Sequence, residues 1–241
     1  DSNYAQKMMI AITSNDLPDI MWVNAAQLKM LVDNGQVMDL TEVYANYASD
    51  YTKSVYSADD GRALQSATFG GKLYGLPEMG TGLQSAQVLW IRSDWLEKLN
   101  LSAPTNMDEF YAVAQSFATQ DPDGNGQADT FGMGVMKELF GSYSALQGFF
   151  NAMGAYPNIW TMNEAGEMAY GSVQPEMKDA LSMLQKMYAE GLIDKEFGVK
   201  DASKVSEDVN AGRIGMFFGE FWCGAWIQHA KIANPATEGV P

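Results

Sequence analysis

The 241-residue chain has one cysteine, Cys223, and one histidine, His229. A single cysteine excludes an internal disulfide and any cysteine-built zinc cluster. A single histidine, with no nucleophile motif to serve, leaves Ser-His-Asp and histidine-rich metal catalysis without parts. Positive charge is also scarce. Lys and Arg total 15 against 30 Asp and Glu, a net charge of −15. Such a surface repels phosphate backbones, and no basic stripe offsets it, which argues against nucleic-acid binding. No apolar run approaches the roughly 20 residues of a membrane-spanning helix. Internal repeats and low-complexity tracts are absent. Cys223 sits among aromatics and reads as a buried, inert thiol, because a reactive one needs electropositive surroundings. No signal peptide is visible, but the chain starts at Asp1 without Met, so this says little about export.

What remains is ordinary globular composition, 46% hydrophobic and 19% charged. Apolar spacing predicts helices over 4–13 and 25–33, the latter stopped by Asn34-Gly35. Between them Ile20 to Val23 is a short apolar run bounded by turn signals, the pattern of a buried strand. Further helices are expected at 41–47, 59–67, 93–99, 144–153, from Pro175 to Glu190, and at 203–210. Strands are expected at 72–77, 88–91, 131–135 and 214–218, with a hairpin around Asn163-Glu164-Ala165-Gly166. Thr105 reads as the N-cap of a helix with Phe110, Val113, Ala114 and Phe117 as its apolar stripe. Trp90 and Trp95 read as packing residues. Alternating helices and strands indicate α/β layering.

The densest chemical signal is Asp121-Pro122-Asp123-Gly124-Asn125-Gly126-Gln127-Ala128-Asp129. Oxygen-bearing groups recur at alternate positions with glycines between. Ca²⁺ takes roughly 6–8 oxygen ligands, and a tight loop of this phase wraps one ion. Asp121, Asp123 and Asn125 would give side-chain oxygens, Gln127 its backbone carbonyl, and Asp129 a direct or water-mediated ligand. Gly126 falls where the loop turns sharply. An EF-hand closes with Glu at position twelve; here that position is Gly132, inside an expected strand. The expectation is a structural calcium loop between helix and strand, with a metal-free Asx-rich turn as the alternative.

Four ordered stretches resemble the extracellular solute-binding proteins of ABC importers, in the carbohydrate-binding family that includes maltose-binding protein. They are Asp16 to Ile20, Gly71 to Pro77, Leu89 to Leu99 running into Pro104-Thr105, and Asn210 to Gly219. The acidic loop resembles that of the Gram-positive lipoprotein subgroup, although several members carry an acidic residue where this chain has Thr130. The resemblance implies an α/β, two-lobe periplasmic-binding-protein-like fold, here incomplete at both ends. Residues 1–84 would belong to the first lobe, 85–215 to the second, and 216–241 would return toward the hinge and first lobe. It implies no catalysis but capture of an oligosaccharide by lobe closure and delivery to membrane permease subunits. The implied protein is a monomer, extracellular and lipid-anchored. The alternative is a calcium-stapled glycoside hydrolase with aromatic subsites.

Sugar sites set aromatic rings against CH faces and carboxylates or amides around hydroxyls, within a pocket of few placed polar groups. Trp22 and Asn24 follow an expected strand, where ligands bind in open α/β sheets. Glu78 follows another. Glu220 and Trp222 follow the 214–218 strand, where the resemblance places a sugar-stacking aromatic, and Trp226 lies one helical turn on. Tyr143, Tyr156 and Trp160 fall where the second lobe would face the ligand.

Overall fold

The computed structural model describes residues 4–224 except 81, 83, 84 and 164. The chain divides into two compact units, Asp1–Gly80 and Thr81–Pro241.

The first unit is mostly helical: α1 Tyr4–Ser14, α2 Ala25–Asp33, α3 Thr41–Tyr47, α4 Asp50–Ser57 and α5 Arg62–Ser66. A small hairpin follows, β1 Thr68–Phe69 against β2 Lys72–Leu73, turned by Gly70 and Gly71 with φ of 58° and 80°. Two positive φ values in a two-residue turn match the twist of the strands they join, and glycine adopts them without a Cβ clash. Helix α2 serves two apolar clusters. Its Leu31 packs with Met8 and Ile12, and its Leu28 with Ala67 and Leu73.

Residues 20–23 form no strand, contrary to the sequence expectation: Ile20 lies in a bend and 21–23 are irregular. Met21 and Val23 turn inward and Ile20 and Trp22 outward, the period-two pattern of a strand. Instead of a neighbouring strand, the Tyr4 hydroxyl takes both backbone groups of Trp22. It donates to the carbonyl at 2.8 Å and accepts from the N–H at 3.1 Å. The 72–77 strand shortens to two residues. Helix α4, absent from the sequence reading, is capped by the Ser49 hydroxyl, which accepts from Thr52 N at 3.1 Å.

The second unit contains β3 Gln87–Ile91, α6 Ser93–Lys98, α7 Met107–Thr119, β4 Phe131–Met133 and α8 Gln147–Ala152. After these come the hairpin β5 Trp160–Met162 and β6 Met168–Tyr170, then α9 Pro175–Ala189, α10 Ala202–Asn210 and β7 Ile214–Glu220. Strand β7 lies in the middle of a mixed sheet, antiparallel to β3 and parallel to β4. Residues 216–220, expected to return toward the first lobe, thus belong to this sheet; 225–241 lie outside the described residues. Met216 and Phe218 enter the larger core with Trp95, Phe110, Phe117 and Phe149, whereas Phe217 enters a smaller one with Tyr143, Val205 and Cys223. Trp95 meets Phe117 edge-on at 5.2 Å, and Trp90 stacks on Phe217 at 6.4 Å, so both indoles pack as expected.

Helix α7 lies unusually close to the sheet. A Cβ on Gly132 would sit 2.3 Å from the Ala114 carbonyl oxygen, and one on Gly215 would sit 2.2 Å from the Phe117 ring. The cap of α7 is Asn106 rather than Thr105. Its Oδ1 accepts from Glu109 N at 2.9 Å, while Glu109 reaches back to the N–H and hydroxyl of Thr105, both at 2.8 Å. Unlike a capping box, the Glu109 carboxylate bonds the residue before the cap rather than the N–H of Asn106 itself.

Candidate functional site

In the first unit, Trp22 is 72% exposed and Glu78 is exposed. Asn24 is the N-cap of α2: its Oδ1 accepts from Gln27 N at 2.9 Å and its N–H donates to Gln27 Oε1 at 3.0 Å. Its carboxamide oxygen therefore serves the helix first. Glu78 follows Pro77, whose carbonyl accepts from the Tyr56 hydroxyl at 2.6 Å and so fixes the chain there.

In the second unit, Glu220 and Trp222 stand together at the carboxyl end of β7. The Trp222 indole N–H donates to Glu220 Oε2 at 2.6 Å. The Glu220 backbone is held on both sides, its N–H by the Ser142 carbonyl at 2.8 Å and its carbonyl by the Trp90 indole at 3.3 Å. The end of a central strand thus carries a half-buried aromatic–carboxylate pair on a fixed backbone, the kind of place where α/β sheets bind ligands. Directly behind it lies Tyr143, bridged to Gly219 and packed at 5.0 Å against Phe217. Tyr143 is 3% exposed, and burial pushes its phenol pKa up. Its expected role as a ligand-facing residue is corrected: Tyr143 belongs to the core that supports Glu220 and Trp222. Cys223 is buried and donates to the Ser142 carbonyl at 3.2 Å, with its thiol pushed up to about 11 by burial, which makes it inert at neutral pH.

Tyr156 lies before, and Trp160 within, the separate β5–β6 hairpin. Trp160 is 63% exposed and paired across the strands with Tyr170, ring centroids 5.5 Å apart. Trp226 and His229 lie outside the described residues.

The 121–129 loop is folded around its own carboxylates. Positive φ at Asp121, Gly124 and Gly126 (47°, 77° and 78°) turns the backbone inward. Asp121 accepts from the N–H groups of Gly124, Asn125 and Gly126, all at 3.1 Å. The Asn125 amide donates to Asp123 Oδ2 at 2.7 Å and to the two Asp129 oxygens at 3.1 and 3.3 Å. The Asp123 carboxyl is pushed up by burial and by its bond to Asp121. That same bond, with the backbone amides, holds Asp121 down. Among the described residues no cluster of three or more Asp, Glu, His or Cys has ready metal-holding geometry. The donor chemistry nonetheless fits a hard cation. The Asp123 and Asp129 carboxylates gather about the Asn125 amide, whose partial positive charge stands where a cation would be better placed. The buried Thr130 hydroxyl donates to the Phe117 carbonyl at 2.8 Å, which ties it to α7. A contact invisible in the local sequence comes from Lys98, whose ammonium donates to the Pro122 carbonyl at 2.8 Å.

The family described as bacterial extracellular solute-binding protein matches residues 1–238. Lipoprotein LipO of Bacillus subtilis is 33% identical over 222 residues, covering 90% of this chain and 42% of the relative. The polygalacturonan/rhamnogalacturonan-binding protein YtcQ of the same organism is 28% identical over 91% of this chain and 42% of its own length. Among solved structures, the Streptococcus pneumoniae ABC-transporter substrate-binding protein FusA, as an EF-hand mutant in complex with fructo-nystose, has a TM-score of 0.76 at 24% identity. That match covers 91% of this chain and 46% of FusA. The chain therefore spans about two fifths of the length of the curated relatives it matches.

Proposed function

The chain belongs to the bacterial extracellular solute-binding protein family, and from that membership we propose that the protein captures an extracellular oligosaccharide for an ABC importer. The match over residues 1–238 carries the reading. The similar FusA structure, described as holding a fructo-oligosaccharide, and the sugar polymer named for YtcQ give the ligand class. The family, YtcQ and FusA are described as binding proteins rather than enzymes, which leaves the glycoside hydrolase alternative without support.

Binding chemistry follows from the residues in place. Trp222 offers an indole for a sugar face, and Glu220 a carboxylate that already accepts one N–H and has lone pairs for sugar hydroxyls. Trp22, Glu78, Tyr156 and Trp160 offer further exposed rings and a carboxylate. Lobe closure is a population shift, driven only by the ligand's tighter contacts with the closed state. Permease subunits receive the closed form, and the protein acts as an extracellular, lipid-anchored monomer. Asp121, Asp123, Asn125, the Gln127 carbonyl and Asp129 hold Ca²⁺, which supplies the positive charge their loop otherwise lacks and clips α7 to β4.

The test is to incubate the full-length protein with an oligosaccharide panel and record melting temperature and product formation together. A Tm rise without products supports the reading, since a ligand that binds only the native state stabilises it. Turnover overturns it.

A further inference from the structure

We infer that Lys98 is the positioning residue of the 121–129 loop, holding it in ion-binding shape from outside; this rests on the calcium reading proposed above. Lys98 is the last residue of α6. Its ammonium donates to the Pro122 carbonyl at 2.8 Å and to the Asp121 carbonyl at 3.4 Å, the first two carbonyls of the loop. Pro122 is itself fully buried, so packing fixes one of these acceptors in place. Gly124, with φ of 77°, leaves the space the ammonium fills: a Cβ there would lie 2.6 Å from Lys98 Nζ. A long side chain from α6, a buried proline and a missing Cβ meet at one point.

A lysine beside three aspartates suggests charge pairing, but the bonding is of another kind. The ammonium's hydrogen bonds run to backbone carbonyls and leave the carboxylates of Asp121, Asp123 and Asp129 for an ion. Ordering the loop beforehand removes entropy that ion binding would otherwise have to overcome. Groups that orient ligands without touching the metal commonly change affinity by about 10–100-fold. The tether also gives the ion a structural reach. Helix α6 carries Trp95, 1% exposed and set edge-on against Phe117 of α7, and the far end of the loop is tied to the Phe117 carbonyl by Thr130. Both ends of the loop are thus fastened to the same helix–helix corner.

The experiment is Ca²⁺ and Tb³⁺ titration of the full-length protein, wild type against Lys98→Met, Lys98→Arg, Gly124→Ala and the Lys98→Met/Gly124→Ala double variant. Lys98 is an exposed residue outside the apolar clusters, so its replacement leaves the core intact. Lys98→Met is expected to weaken Ca²⁺ binding by about tenfold or more, and Lys98→Arg, which keeps donors for the carbonyls, by less. Gly124→Ala is expected to cost less affinity in the Lys98→Met background than in wild type, because the added methyl no longer meets the ammonium. Unchanged or tighter Ca²⁺ binding in Lys98→Met overturns the inference, since the lysine would then be inert or merely repel the ion. Additive effects in the double variant overturn it equally. A wild-type protein that binds neither ion overturns the calcium reading itself, while leaving sugar capture standing.

Discussion

Single side chains decide more here than their sequence context announces. Gly132 looks like any strand glycine, yet a Cβ there would meet the Ala114 backbone oxygen at 2.3 Å. Backbone cannot swing aside as a side chain can. Gly132→Ala is therefore expected to destabilise the second unit by about 1–3 kcal/mol, the usual cost of overpacking, read as a lower urea midpoint. Trp222 is the residue on which ligand binding is expected to lean most. Trp222→Ala should weaken oligosaccharide affinity by about tenfold or more, as for a buried aromatic anchor, in isothermal titration of the full-length protein. Equal affinity would remove Trp222 from the site. Tyr143 teaches the opposite lesson. Its sequence setting is the same mixture of small and polar residues that surrounds surface tyrosines, and only the pairing of its backbone with Gly219 draws it inside.

At the scale of elements, caps and cross-links set the boundaries. Helix α7 was legible from its apolar stripe, all four members of which are buried, because a 3.6-residue period is a property of the sequence itself. Its start was displaced by one residue, because Thr105 and Asn106 are both good caps and only the folded backbone selects between them. Asn106→Ala is expected to cost about 1 kcal/mol, measured by thermal unfolding, with a smaller effect for Thr105→Ala. The start of α3 has a pH-sensitive tie. Asp39 accepts from the N–H and hydroxyl of Thr41 at 3.0 and 2.6 Å and pairs with Lys72 of β2 at 3.1 Å. Thr41 bonds lead in lowering its pKa from 3.8 to about 2. A depressed carboxylate stabilises the fold fully above its unfolded pKa and loses that contribution as pH falls through the folded value. The first unit should therefore weaken between about pH 4 and pH 2, and Asp39→Asn should flatten that part of the acid-unfolding curve. An unaltered curve would show that the tie is screened away at this exposed site.

For the whole molecule, ion and ligand are both read as stabilisation of the native state. With Ca²⁺ at about 100 times its dissociation constant, the native state should gain roughly 2.7 kcal/mol. EDTA is expected to lower Tm and Mg²⁺ to restore it poorly, because the smaller ion demands tighter octahedral geometry. A Tm unmoved by EDTA would remove the ion from the protein. Oligosaccharide should raise Tm in either condition if the loop is a clip away from the ligand, and only with Ca²⁺ if the two are coupled.

The sequence by itself determined the class of the protein. Negative charge, single Cys and His, periodic apolar stripes and four motifs in a fixed order are properties of composition and local spacing, and local spacing survives without a fold. The alternate-position oxygens of 121–129 were legible for the same reason, since all the donors lie within one turn of chain. Tertiary structure alone decided which strand lies in the middle of the sheet, that the Tyr4 hydroxyl takes the backbone of Trp22, and that Tyr143 supports the Glu220–Trp222 pair from behind. It also brought Lys98 to a loop 23 residues away. These are contacts between stretches distant in sequence, set by which surfaces can bury each other's apolar area, and no local pattern encodes them.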